Sequence, residues 1–229
     1  MPEHDSTQRL KNQLEVEPDD VVYDWYLDEG DRNRKAFYTK EELPDPIRRS
    51  IEILEENFSQ IRDEILEVDE RNLQEWVEKD IYTSGWSVLP LYTQTDTFPR
   101  NIALCPNTNR VIDDLRRTAK VMSVGFSYLF AGAHILPHNG YVGYSDKVVR
   151  VHLPLVVPEG KCGLHVGNIR KSLKEGRCIV FDDSVTHQAW NFTGKTRIVL
   201  VIDFEHLGKG GKNYNLDHYT GATCRLRRE

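Results

Sequence analysis

Two histidines, His138 and His187, stand in this sequence where β-rich segments meet turns. His138 lies in AGAHILPHNG, between a segment that ends at Phe130 and a glycine-containing turn, and His187 follows FDDSVTH where the next segment begins. A barrel rim holds such a side chain on a loop that a rigid strand fixes in place. Imidazole nitrogens are good ligands for iron, zinc and copper, and an iron oxygenase needs open coordination positions beside its protein ligands. The pair therefore predicts a metal site with vacant positions.

Cationic side chains accompany the histidines on other predicted strands. In the segment Val148–Val157, the side-chain period of two places Arg150 and His152 on one face and Val151 on the other. The same period groups Arg197 with apolar residues in TRIVLVIDF. A buried charge without a partner is costly, so these groups call for an anion.

The segment VMSVGFSYLF has two faces of different character. Ser123, Gly125 and Ser127 form a small polar face that is expected to line a cavity, and bulky apolar residues form a face that is expected to pack on helices. Arginine meets carboxylates bidentately, so two arginines, a hydroxyl and an imidazole beside a metal suit a dicarboxylate such as 2-oxoglutarate, which also chelates iron. In the alternative interpretation the arginines pair with aspartates of a plain β-sandwich, and the residues alone leave both interpretations open. The aspartates concerned are Asp182, Asp183 and Asp203.

The elements that must position these residues follow a helix-then-strand order. Asp45 and Pro46 suit the N-cap and first position of one amphipathic helix that extends to Ile65, and a second helix is predicted around Arg110–Lys120 after the turn CPNTN. From Val121 onward, short β-rich segments alternate with turns, which predicts a barrel or sandwich with helices against one face. The segments are Val121–Phe130, Val148–Val157, Gly163–Val166, Arg177–Asp183, His187–Phe192 and Thr196–Phe204.

Composition and charge limit the classes of partner. A formal net charge of -6 argues against nucleic acid, because proteins that bind it present a concentrated basic surface. No run of about 18 apolar residues is present and the N-terminus lacks signal-peptide order, so a cytoplasmic protein without a membrane partner is expected. The 4 cysteines form no CxxC pair and are expected to be reduced.

A chain of 229 residues is expected to form a single domain. We predict a mobile acidic tail over residues 1–20, one domain over residues 21–206, and a C-terminal loop over residues 207–229. Within the domain, helices are predicted over residues 21–120 and the β core over residues 121–206.

Four motifs in one order resemble the aspartyl/asparaginyl β-hydroxylase family of Fe(II)- and 2-oxoglutarate-dependent oxygenases. They are HILPHNG, RVHLPLVVPEG, EGRCIVFDDSVTHQAW and TRIVLVIDFEH. The resemblance runs from about Trp86 to His206, and the stretch from about Phe37 to Glu67 is similar to the family's helical lead-in. It implies a mainly β fold, a jelly-roll or cupin-like double-stranded β-helix buttressed by N-terminal and flanking helices. It also implies a dioxygenase that uses O2 and 2-oxoglutarate for hydroxylation and releases succinate and CO2.

The matching motifs also imply residue roles. His138 and His187 resemble the two catalytic iron ligands, and Arg197 resembles the ion-pair partner of the distal carboxylate of 2-oxoglutarate. The remaining cosubstrate contacts are implied at Ser127, Arg150 and His152.

Two positions bear on the ligand set and the substrate. Many oxygenases of this fold have an acidic third ligand two residues after the first histidine, but Gly140 is found here, which matches the β-hydroxylase pattern in which the carboxylate is missing and water can fill that place. Family members acting on peptidyl aspartate have a further arginine at the position of Val148. We expect an amino-acid-like substrate that is free, carrier-bound or a peptidyl Asp or Asn, and Val148 places a free or carrier-bound amino acid, or another small metabolite of a biosynthetic pathway, at least level with the peptidyl substrate.

Two other functions fit the same residues. A missing third carboxylate leaves room for chloride on iron, so a halogenase or another oxidative tailoring enzyme with the same cofactors is one alternative. From another class, a non-catalytic cupin-like binding protein would hold a metal without turnover, or no metal at all.

Overall fold

The structure, a computed structural model, describes residues 34–206 of the chain. The predicted acidic tail over residues 1–20 and the predicted C-terminal loop over residues 207–229 lie outside the described residues. Cys105, Cys162 and Cys178 are free thiols in the described part. None of the helices within residues 34–206 has the length and apolar character needed to cross a bilayer.

Two antiparallel β-sheets form the framework of the described chain. The larger sheet has the order β1-β9-β6-β11-β4-β3-β2 and the smaller sheet has the order β5-β10-β7-β8. The strands are β1 (Phe37–Tyr38), β2 (Gln74–Glu75), β3 (Trp86–Tyr92), β4 (Val121–Leu129), β5 (Ala133–His138), β6 (Val148–Val156), β7 (Cys162–Val166), β8 (Ile169–Lys171), β9 (Ile179–Phe181), β10 (His187–Asn191) and β11 (Arg197–Glu205).

The course of the chain between the sheets defines the fold. From β4 onward the chain crosses repeatedly from one sheet to the other, and only the β7–β8 hairpin stays within one sheet. The inner faces of both sheets share one apolar cluster, in which Val88 and Leu129 of the larger sheet meet Ile135 and Leu164 of the smaller sheet. Two antiparallel sheets wound in this way and packed face to face form a double-stranded β-helix of the jelly-roll type. The predicted fold class is confirmed.

Four helices cover the outer face of the larger sheet and form the main core with it. Side chains at steps of three and four on the helices pack against the outward residues of β4, β6 and β11, as in Ile51, Leu54 and Ile61 against Phe126 and Leu200. The helices are α1 (Asp45–Glu56), α2 (Phe58–Leu66), α3 (Pro99–Leu104) and α4 (Pro106–Thr118). This packing leaves the inner face of the larger sheet to the barrel interior, where Ser127, His152 and Arg197 lie alongside the inner apolar cluster.

The first predicted helix is interrupted once. Sequence periodicity predicts one helix from Asp45 to Ile65, but the chain leaves helical geometry at Asn57, where φ is -96° and ψ is 10°. The Asn57 side chain donates a hydrogen bond to the carbonyl of Ile53, which competes with the helical backbone pattern. The apolar stripe continues because the interruption is one residue long.

The second predicted helix begins earlier than its apolar pattern indicates. Helix α4 starts at Pro106 and includes residues that read as a turn, and α3 precedes it. The Glu64 carboxylate, from α2, accepts hydrogen bonds from the backbone N–H groups of Asn107 and Thr108, each at 2.7 Å. An acidic side chain at these first-turn donors stabilises the helix start, and a cap so remote in sequence is not visible in a local pattern.

Two important strands were not predicted. β3 lies in the region that was predicted to be helical, yet it pairs with β4 along most of its length. β5 covers the residues that were predicted to be a loop before His138, so His138 ends a strand. β3 contains Pro90, which reads as a strand breaker in isolation.

Candidate active site

The two histidines lie opposite each other on adjacent strands of the smaller sheet. His138 ends β5, His187 begins β10, and the two residues are direct partners in the antiparallel register. The ring centroids are 4.3 Å apart with 54° between the ring planes. Residues remote in sequence are thus brought together as predicted.

Each imidazole is oriented by its own backbone. Nδ1 of His138 lies 2.8 Å from the carbonyl oxygen of Leu136, and Nδ1 of His187 lies 2.8 Å from that of Val185. A carbonyl only accepts, so each Nδ1 carries the hydrogen and each Nε2 keeps a lone pair. Ring geometry of this kind is the usual support of metal-binding histidines.

Burial keeps both rings neutral. Removal from water lowers the pKa of His138 to about 3, with a further contribution from the neighbouring His187. Removal from water likewise lowers the pKa of His187 to about 4. A histidine binds a metal as the neutral imidazole. Because both rings are already neutral near pH 7, neither has to lose a proton first.

A carboxylate stands beside the histidine pair. Oδ1 of Asp183 lies 3.4 Å from Nε2 of His187 and forms an ion pair with Arg150. Gly140, two residues after His138, provides the space: a Cβ at this position would lie 2.0 Å from Oδ2 of Asp183 and 2.7 Å from Cβ of Ser145. The acidic group next to the histidines therefore comes from the β9–β10 connection and not from position 140.

Among the residues that the structure describes, Arg197 is a buried cation without a carboxylate partner. Arg197 is 1% exposed, its Nη1 donates a hydrogen bond to the carbonyl oxygen of Gly163 at 3.2 Å, and its Nε has no hydrogen-bond partner among the described residues. Within residues 34–206 no acidic side chain lies in ion-pair distance of it, and burial lowers its pKa. A guanidinium in this state is incomplete without an anion.

Ser127 and His152 share the inner face of the larger sheet with Arg197. Ser127 lies opposite Val199 in the β4–β11 register, and His152 lies opposite Val201 in the β6–β11 register. The Oγ of Ser127 accepts a hydrogen bond from Nε1 of Trp86 at 3.0 Å.

His152 has an unused ring nitrogen in this wall. Its Nδ1 is buried and has no hydrogen-bond partner among the described residues, and its ring meets Phe181 edge-on at 4.9 Å. Burial, followed by the charge of Arg197, places its pKa well below the ordinary value. His152 is therefore a neutral imidazole with capacity for one more hydrogen bond.

Arg150 is engaged differently from Arg197. Its Nε and Nη2 donate to the two carboxylate oxygens of Asp203 at 2.8 and 2.9 Å, and its Nη1 donates to Asp183. Ser123 and Tyr144 also donate to Asp203, at 2.8 and 2.9 Å. The ion-pair alternative raised from the sequence thus describes Arg150 but not Arg197.

These motifs and this geometry agree with one known family. The sequence pattern described as Aspartyl/Asparaginyl beta-hydroxylase matches residues 55–207, which is more than half of the chain. The chain belongs to this family. The match includes both histidines, the strands that hold them and the inner face of the larger sheet.

Individual relatives of this member of the aspartyl/asparaginyl β-hydroxylase family also carry hydroxylase names. An ornithine lipid ester-linked acyl 2-hydroxylase of Rhizobium tropici is 40% identical over 108 residues, covering 46% of this chain and 36% of that protein. The aspartate beta-hydroxylase domain-containing protein 2 of Homo sapiens is 32% identical over 173 residues, covering 71% and 46%. The aspartyl/asparaginyl beta-hydroxylase of Homo sapiens is 27% identical over 161 residues, covering 68% and 21%. The chain thus spans less than half the length of each of these relatives.

Three residues of the site have no individual role in the sequence-based prediction. Asp183 and Asp203 were considered only as general ion-pair partners, and Tyr144 was not singled out. Asp183 is four residues before His187 in FDDSVTH, a visible but ambiguous signal because Asp182 adjoins it. Nothing local marks Asp203 as the partner of Arg150, since that pairing depends on strand register.

Substitution at Gly140 provides a test of the space that Asp183 occupies. We expect Gly140→Ala to destabilise the protein by about 1–3 kcal/mol, because an added Cβ overlaps the Asp183 carboxylate. Gly140→Asp should likewise give no gain in coupled hydroxylation. Gly194→Ala is the matched control, since a Cβ there meets nothing within 4 Å. Melting temperature and product formation are measured for all three; a Gly140→Asp variant that melts like the wild type and hydroxylates better contradicts the prediction.

The Asp203 cluster provides a test of stability. Although burial opposes ionisation, Arg150, Ser123 and Tyr144 hold the pKa of Asp203 below its ordinary value. We expect Asp203→Asn to lower the free energy of unfolding at pH 7 by about 3–5 kcal/mol, because Arg150 loses a buried partner. The contribution is present above the unfolded-state pKa of about 4 and is lost as pH falls through the lower folded-state pKa, so the variant should be less acid-sensitive than the wild type.

Urea unfolding at pH 7 and at acidic pH measures both effects. Glu205→Gln is the control on the same strand, because its ion pair with Lys120 is exposed and such pairs contribute about 0–1 kcal/mol. An Asp203→Asn variant within about 1 kcal/mol of the wild type, on the scale of that exposed pair, would show that the cluster is not a buried ion pair.

Proposed function

We propose that the chain is an Fe(II)- and 2-oxoglutarate-dependent dioxygenase that hydroxylates an unactivated C–H bond. The observation that carries the proposal is Arg197, a fully buried guanidinium without a carboxylate partner in the described chain, on the barrel wall that faces a pair of neutral imidazoles. A dicarboxylate that also chelates a metal satisfies both features at once.

The donor set fits iron in this role. The Nε2 atoms of His138 and His187 would be the protein ligands, because the two rings are adjacent and each Nδ1 is held by a backbone carbonyl. Among residues 34–206 no group of three His, Cys, Asp or Glu side chains is arranged to hold a metal. Two imidazole ligands would leave coordination positions open for cosubstrate and dioxygen. When bound, iron would supply the activation of dioxygen, coupled to conversion of 2-oxoglutarate to succinate and CO2.

The residues of the chain bind and orient. Arg197 and Ser127 would hold the distal carboxylate of 2-oxoglutarate, and His152 would complete the hydrogen bonds of the end near the metal. A role of Arg150 at the cosubstrate remains a prediction. The Arg150 guanidinium already donates three hydrogen bonds to Asp203 and Asp183, so it would have to contact 2-oxoglutarate in addition to these carboxylates. Apolar inner-face residues such as Val166 and Ala189 keep water from this space.

For the substrate we propose an amino-acid-like molecule that is free, carrier-bound or a peptidyl Asp or Asn. A second class, the acyl chain of a lipid-like molecule, is favoured by the engagement of Arg150 and by Val148, which is fully buried. Neither position offers an unengaged guanidinium to a substrate carboxylate. The ornithine lipid acyl 2-hydroxylase relative supports the second class.

Anaerobic addition of Fe(II) and 2-oxoglutarate tests the proposal. The metal chelate of the cosubstrate should give a visible charge-transfer band, and succinate should form on admission of air. A cupin-like binding protein without turnover gives neither signal. Product analysis with and without chloride separates hydroxylation from halogenation, and parallel assays with an Asp-containing peptide, free amino acids and an acyl amphiphile separate the substrate classes.

A further inference from the structure

We propose that Trp86 is a positioning residue for the cosubstrate: its indole N–H directs the hydroxyl hydrogen of Ser127 toward the distal carboxylate that Arg197 binds. The inference rests on the proposed function, because it concerns the 2-oxoglutarate site. It assigns an active-site task to β3, a strand that lies within residues 21–120, which were predicted to be helical.

The contact between the two side chains is buried. Trp86 begins β3 and lies opposite Leu129 in the β3–β4 register, so its ring is on the inner face beside Ser127. Nε1 of Trp86 donates to Oγ of Ser127 at 3.0 Å, and the two residues are 9% and 8% exposed. Water therefore competes little for this bond.

The chemistry of the two groups makes the bond directional. An indole N–H only donates, whereas a hydroxyl has one hydrogen to donate and two lone pairs. One lone pair of Ser127 is taken by Trp86, so the hydroxyl hydrogen must point elsewhere, and no described residue accepts it. Ser127 is thereby presented as a donor.

The Ser127 hydroxyl lies on the same inner face of the larger sheet as the Arg197 guanidinium. Arg197 lies opposite Leu129 and Ser127 lies opposite Val199, so the two are diagonal neighbours on the same face of adjacent strands. Diagonal neighbours on a sheet are about 7–8 Å apart at the backbone, which lets a long and a short side chain converge on one anion. A carboxylate held there would accept from both.

An aromatic cluster fixes the indole. Trp76 stacks on Trp86 with centroids 4.7 Å apart and 23° between planes, and Tyr82 meets it edge-on at 5.6 Å. The indole N–H of Trp76 donates to the Glu78 carboxylate, and the hydroxyl of Tyr82 donates to the carbonyl oxygen of Trp76. Of the three aromatic residues, Trp86 alone turns its polar atom toward Ser127.

The experiment is a double-mutant cycle read by 2-oxoglutarate binding. Dissociation constants are measured anaerobically with Fe(II), by the visible band and by calorimetry, for wild type, Trp86→Phe, Ser127→Ala and the double variant. We expect Trp86→Phe to weaken binding about 3- to 10-fold, the effect of one neutral hydrogen bond, and to have no further effect once Ser127 is alanine. Trp76→Phe is the matched control and should stay within about 2-fold, because phenylalanine keeps an aromatic ring stacked on Trp86 and removes only the indole N–H that donates to Glu78.

The outcomes separate the two proposals. If wild type gives no band and no heat of binding, the proposed function fails. If wild type binds but Trp86→Phe binds equally well, or its effect adds fully to that of Ser127→Ala, the positioning role alone is overturned. If Trp86→Phe does not fold, the indole N–H resonances of the 4 tryptophans are measured instead. The resonance that shifts in Ser127→Ala must also shift when 2-oxoglutarate binds to the wild type. If it does not shift, the positioning role is overturned.

Discussion

Replacing either histidine by alanine, in His138→Ala or His187→Ala, is expected to abolish Fe(II)-dependent succinate formation while the protein stays folded. Each ring offers one Nε2, and its Nδ1 is held by a carbonyl of its own strand or turn, so neither ring can supply a second bond. Removing one leaves a single described protein ligand where two are needed. We expect turnover to fall below detection and stoichiometric iron binding to be lost.

The control is His134→Ala on the same strand. His134 bonds Gln188 at 2.8 Å and lies opposite Trp190 in the β5–β10 register, away from the histidine pair. Succinate release, iron content and melting temperature are measured on the three variants and wild type. Near-wild-type turnover in His138→Ala or His187→Ala would falsify the metal assignment, and equal loss in His134→Ala would show that the assay reports general damage.

Arg197→Ala is expected to weaken 2-oxoglutarate binding by more than about 100-fold, because breaking a buried charge pair costs about 3–5 kcal/mol. Arg197→Lys should be affected less, since it keeps the charge and loses only the fork that meets a carboxylate bidentately. Within the described chain Arg197 has no carboxylate partner, so we expect the distal carboxylate of 2-oxoglutarate to be its partner.

Two measurements on one protein decide between an anchor and a structural cation. An anchor predicts that the rise in melting temperature on adding 2-oxoglutarate, present in wild type, disappears in Arg197→Ala. A purely structural arginine predicts a lower melting temperature with unchanged dependence on 2-oxoglutarate. The exposed Arg177, which pairs with Glu55 at the surface, gives a control in Arg177→Ala that should alter neither quantity appreciably.

The faces of the central strands could be predicted from the sequence, because burial imposes a period of two. Arg150 and His152 were expected opposite Val151, and the structure places them inward while Val151 packs toward the helices. The same holds for Ser127 against Phe126. A strand between a helical layer and a polar barrel interior carries this alternation in its own residues.

Long-range pairings could not be predicted in the same way. Arg150 and Arg197 look alike in sequence, each a single arginine on an inward face. They differ because register sets Arg150 opposite Asp203 and sets Arg197 opposite Leu129. Register depends on the whole sheet, so the sequence leaves the alternatives open where the structure distinguishes them.

Single side-chain hydrogen bonds explain why the helix boundaries differ from the predicted ones. The break at Asn57 comes from one side-chain hydrogen bond, and the early start of α4 comes from a cap by Glu64 on another helix. Apolar periodicity carries neither signal. The roles of Ser127 and His152 at a cosubstrate stay predictions, with geometry that favours them.

The placement of His138 and His187 as cross-strand partners makes their two strands intolerant of changes in length. The β5–β10 register shifts once between His187 and Ala189, and this irregularity brings His138 opposite His187. One further residue inserted within β5 or β10 would turn an imidazole to the far side of the sheet, because successive side chains of a strand point to opposite faces. An insertion in a connection, such as residues 139–147, shifts no register. Divergence within such a lineage should therefore accumulate as loop insertions and deletions, while the two histidine strands keep a constant residue count.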